Sequence, residues 1–160
     1  MDKNKDYLSI LKESLEKKLD ILEEILKLNG IQKEAVSGNS IDGDRFDEII
    51  EKKNVCIKDI EELDRGFETV YNHVKEFLLQ DKDAYTEEIA ALKQLISDIT
   101  EKSMEVQLSE KRNEKLVMKK FSEERQKIHQ SKTANKVASD YYKSMNKSTI
   151  VEPQFLDKKK

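Results

Sequence analysis

Residues 44–80 read DRFDEIIEKKNVCIKDIEELDRGFETVYNHVKEFLLQ, and two interleaved series run through them at heptad spacing. One is Phe46, Lys53, Ile60, Phe67 and Val74; the other is Ile49, Cys56, Leu63, Val70 and Phe77. Lys53 is the one position of these ten that is neither apolar nor cysteine. Ile50, Ile57, Tyr71 and Leu78 widen the face beyond a two-stranded seam, which predicts a helix touching two neighbours. Asp44 is the expected cap at its start.

Outward from this helix, the N-terminal flank repeats the pattern. Leu8, Leu11, Leu15, Leu22 and Ile25 alternate three- and four-residue steps, with Leu19 and Leu26 beside them, predicting a helix over 4–37 capped by Asp2 or Asn4. Gly30 either ends that helix early or weakens it. The cluster Ser37-Gly38-Asn39-Ser40-Ile41-Asp42-Gly43-Asp44 is the clearest break in the chain. On the other flank, a short turn at Asp81-Lys82-Asp83 leads into a third series: Tyr85, Ile89, Leu92, Ile96, Ile99, Ser103, Val106, Glu110, Asn113, Val117. This seam falters at Ser103, Glu110 and Asn113. Unbroken to residue 128 it exceeds the other two helices, so it overhangs, bends near 103–113, or pairs with a second copy.

Composition supports the same class. Glycine and proline total five of 160 residues, too few for the turns of a sandwich, barrel or doubly wound sheet. Leu, Ile, Val and Phe total 42, enough for a helical seam in a chain with 39% charged residues. The fold class is therefore all-α: an elongated antiparallel three-helix coil or bundle over residues 1–130, followed by a mobile amphipathic C-terminal segment over 131–160.

Several chemistries are disfavoured. No apolar run exceeds four residues (Ile89 to Leu92), which leaves no membrane span and no signal-peptide core. The single cysteine, Cys56, makes no internal disulfide and fits a reducing, cytoplasmic setting; on the apolar stripe it reads as a buried inert thiol. His73 and His129 lack the glutamate three residues earlier that a bundle di-iron site needs, and the glycines form no phosphate loop. Asp42-Gly43-Asp44 fails the calcium-loop spacing. No catalytic residue, cofactor or metal is expected.

Charge divides the chain. Residues 1–110 carry a balance of −11 and residues 111–160 one of +8. The basic half has three readings: a solvated face, a phosphate-binding surface, or an arm that orders on a protein partner. Glu114, Glu123 and Glu124 interrupt the basic residues of 111–127, where only Arg112 and Arg125 are arginines, so nucleic acid is disfavoured. Val137, Tyr141, Tyr142 and Met145 share one face of a short helix, and Phe155 and Leu156 follow Pro153. Such a segment is not a solubilising tail. It either orders on a protein partner, the preferred reading, or docks back on its own bundle.

With these elements in hand, the chain resembles the FlgN-type flagellar type III export chaperones. Phe46-Asp47-Glu48-Ile49-Ile50-Glu51-Lys52-Lys53-Asn54 is similar to that family's acidic and apolar helix after the first loop, and Val137 to Met145 looks like its C-terminal helix. The resemblance implies a cytosolic chaperone whose partners are the hook–filament junction proteins FlgK and FlgL and the export apparatus. By position, it assigns partner contact to Val137, Tyr141, Tyr142 and Met145, with Phe155 and Leu156 as weaker candidates. The alternative is a structural coiled-coil scaffold that forms a homodimer through its third helix. Neither reading calls for membrane insertion.

Overall fold

A computed structural model of the chain describes residues 2–127 and 138–143. Three long helices carry the architecture: α1 (Lys3–Ser37), α2 (Gly43–Gln80) and α3 (Thr86–Lys127), with a 3-10 turn at Lys82–Tyr85 before the last. At 1.5 Å per residue they are about 52, 57 and 63 Å long. Cross-contacts set their directions. Lys18 meets Asp64 and Lys53 meets Gln32, so α1 and α2 are antiparallel. Asn4 meets Tyr85 and Asn29 meets Ser109, so α1 and α3 run parallel. Phe46 meets Phe121 and Phe77 meets Tyr85, which makes α2 and α3 antiparallel. The backbone of α1 lies against both neighbours.

The seams read from the sequence form one core. Leu8, Leu11, Leu15, Leu22, Phe67, Val74, Leu92, Ile96 and Ile99 are all buried in it. Asp2 caps α1 by accepting from the backbone N–H groups of Asn4 and Lys5, and Tyr85 Oη donates to its other carboxylate oxygen, tying the start of α1 to the turn before α3. Two open alternatives are resolved and one expectation, the cap of α2, changes. Gly30 lies mid-helix and neither ends nor breaks α1. The cap of α2 is Asp42, whose extended backbone lets its carboxylate reach the Arg45 N–H, and Asp44 sits inside the first turn. Finally, α3 is unbroken through 103–113; its extra length lies at its C-terminal end, where Phe121 still packs on Phe46.

Candidate functional site

Ser103, Glu110 and Asn113, the three faults in the α3 seam, are buried, and so is Lys53, the one charged exception in the α2 seam. Antiparallel packing of α2 and α3 brings the two charged exceptions together. Lys53 Nζ lies 2.7 Å from Glu110 Oε1 and 3.0 Å from Oε2, with side chains 0% and 4% exposed. An ion pair this deep is tolerable only when its remaining donors and acceptors are filled. Lys53 also donates to Gln32 Oε1 at 2.9 Å, and Asn113 Nδ2 donates to the Asn29 carbonyl at 2.8 Å and to Gln32 Oε1 at 3.3 Å. Asn29 Nδ2 donates to Ser109 Oγ, which itself donates to the Val106 carbonyl. Together these residues form a polar layer across the bundle.

The fourth side of that layer comes from the C-terminal segment. Residues 138–143 are helical, and Ala138, Tyr141 and Tyr142 belong to the core cluster. Tyr141 Oη donates to Glu110 Oε1 at 2.7 Å, and the Tyr141 ring lies 4.0 Å from Lys53 Nζ, a cation–π contact inside the protein. Gln32 Nε2 donates to Tyr142 Oη at 3.4 Å. The two tyrosine rings meet edge to face at 5.3 Å. The segment thus touches side chains from all three helices.

Burial governs the titration of these groups. It pulls the Lys53 ammonium down to about 8, against the opposing pull of Glu110. Burial, then the neighbouring Glu110 charge, pushes the Tyr141 hydroxyl well above its usual range, and Tyr142 shifts the same way for the same reasons. Burial also raises the Cys56 thiol, so at neutral pH it is protonated and a weak nucleophile.

Of the residues singled out from the sequence, Tyr141 and Tyr142 are brought together against the bundle, the arrangement held there as the second reading of the arm. Val137, Met145, Phe155 and Leu156 lie outside the described residues, as does His129; His73 stacks on Tyr7 near the other end of the bundle. Sequence reasoning missed Lys53, Glu110, Gln32, Asn29 and Asn113 as a unit. Their signal was there as polar exceptions in apolar seams.

Fold and site define an all-α coil that holds a short helical segment on a groove by a buried polar layer. The family model for the FlgN protein matches residues 1–144, nine-tenths of the chain, and the chain belongs to the FlgN family. The match includes Tyr141 and Tyr142 and stops one residue before Met145. That family consists of flagellar export chaperones rather than enzymes, and its members bind hook–filament junction proteins. No curated protein and no solved structure matches the chain. Among the described residues no helix is long and apolar enough to cross a membrane.

Proposed function

We propose that this flagellar export chaperone binds hook–filament junction proteins of the FlgK and FlgL kind through its C-terminal segment. Val137, Tyr141, Tyr142 and Met145 form the contact face, with Phe155 and Leu156 extending it, and residues 131–160 act as a partner-binding arm on the coil of residues 1–130. The observation that supports this reading is how the segment is held. Among the described residues, 138–143 are held on the bundle through the side chains of Ala138, Tyr141 and Tyr142, with two hydroxyl hydrogen bonds. A contact made by side chains in this way is exchangeable, because an amphipathic partner helix offers the tyrosine rings another apolar surface. The docked form is then the resting state, with the tyrosines shielded from water until a partner takes them.

Calorimetric titration of the full chain with a purified hook–filament junction protein tests this. The Tyr141→Lys/Tyr142→Lys variant should bind at least tenfold more weakly than the unmodified chain. Unchanged binding would move the site onto the coil. Tighter binding would mean that the partner occupies the groove and that the segment is its competitor. The scaffold alternative loses its main support, because Ser103, Glu110 and Asn113, which suggested pairing with a second copy, are buried within one chain.

A further inference from the structure

A second groove lies away from the tyrosines. It is lined by α1 and α2 alone, has a volume of about 660 Å³, and runs from Ile10 to Ile21 on one helix and from Asp59 to Val70 on the other. That is twelve residues of each helix, about 17 Å from first to last, or three helical turns. Leu11 and Phe67 form part of its floor, and Ile10 stands 49% exposed at its edge. The charges around it are one-sided: Glu13 and Asp20 from α1 and Asp59 and Glu62 from α2 face a single ammonium, Lys17.

Gly66 lies in this groove, in the middle of α2. Glycine there weakens the helix relative to alanine, and no contact among the described residues requires it. No glycine has a positive φ among the described residues, and a Cβ built on Gly66 would meet nothing within 4 Å. Among the described residues nothing packs on that point, although close approach is what a bare backbone permits. The missing side chain affects only the open space above the groove floor.

We propose that this groove is a docking site for an amphipathic helix of a partner protein, apolar on one face and flanked by lysine or arginine. The carboxylate rim selects for cationic flanks, and Gly66 lets the incoming backbone come close. A helix fits better than an extended strand, because groove walls made of helix backbone offer no free ladder of N–H and C=O groups. The proposal does not depend on the role given to Tyr141 and Tyr142.

The test uses the full chain and a fluorescein-labelled 15-residue helix built from leucine and lysine, with a leucine–glutamate helix of the same pattern as its control. The leucine–lysine helix should bind saturably and the control at least tenfold more weakly. Gly66→Leu should weaken binding at least tenfold while leaving Tm unchanged or raised, since the position is open to solvent. Asp59→Lys/Glu62→Lys should weaken it similarly. Equal binding by the two helices, or undiminished binding by Gly66→Leu, would overturn the proposal. So would displacement of the probe by a synthetic peptide of residues 144–160, which would give the groove to this chain's own C-terminal residues. Self-association of the chain that Gly66→Leu abolishes would overturn it too, assigning the groove to a second copy.

Discussion

The two ends of the bundle are built differently. Around Leu8, Leu11, Leu15, Phe67, Val74, Leu92 and Ile96 the core is apolar, with the Lys18–Asp64 ion pair at 2.6 Å toward its margin. Around Gln32, Lys53, Glu110 and Asn113 the same three helices place a charged, hydrogen-bonded layer at their centre and cover it with two tyrosines. Apolar packing is non-directional and tolerates sliding, whereas a buried ion pair with fixed partners penalises every register but one. The polar end fixes which residues face each other.

The contrast breaks most sharply on the ion pair. Lys53→Met leaves Glu110 buried without its cation and should cost about 3–5 kcal/mol, read as a lower urea midpoint. Lys53→Met/Glu110→Met should recover most of that loss, because a buried pair is often replaceable by apolar residues, less the bond that the Tyr141 hydroxyl gives up. If the double variant stays as unstable as the single one, the layer contributes more than register. In the apolar end, Phe67→Ala should cost about 3–5 kcal/mol with no such rescue, while the Tyr141 contact stays intact.

A smaller effect follows at the cover. Tyr141→Phe removes a hydrogen bond to a charged group, worth about 1.5–3 kcal/mol. With 138–143 acting as the proposed exchangeable arm, the loss should show as faster proteolysis near those residues, with only part of it in the global midpoint. For Tyr141→Ala, the buried ring makes undocking the expected result.

The pH dependence is weaker still. The folded Lys53 releases its proton near 8, and the unfolded lysine holds its proton until about 10.5. Above pH 8 the unfolded state binds more protons, so the Lys53 contribution to stability rises with pH, on the order of 1 kcal/mol per pH unit. Near 9 the unfolded Cys56, and near 10 the unfolded tyrosines, release protons that the folded chain retains, which reverses the slope. Urea midpoints between pH 7.5 and 9 should rise for the unmodified chain and stay flat for Lys53→Met/Glu110→Met. Smallest of all, Gly66→Ala should stabilise the free chain by about 1 kcal/mol, since it adds helix propensity without a clash.

Much of this was legible in the sequence. The heptad series gave the three helices, and both ends of α1 and α2 and the start of α3 fell within a residue or two, because an apolar stripe of that length can be buried only one way. Asp42 rather than Asp44 caps α2 because the choice depends on which backbone is extended, and several capping residues compete in that loop. The polar layer was hidden for a different reason. Lys53 and Glu110 each look like a fault in their own seam, and they become a pair only once Phe46–Phe121 and Phe77–Tyr85 set the register between α2 and α3. Tyr141 and Tyr142 were found, but pattern alone does not say what buries them. A ring with a hydroxyl suits a partner's groove and the chain's own groove equally well.

The central claim is that the polar layer holds residues 138–143 on the bundle, and amide hydrogen exchange on the free, full-length protein tests it most directly. Those amides should exchange more slowly than an unstructured peptide. Glu110→Gln and Tyr141→Phe should each speed them up while the amides around Leu11 and Phe67 stay protected. Exchange of 138–143 at the unstructured rate, unaffected by either substitution, would contradict the account.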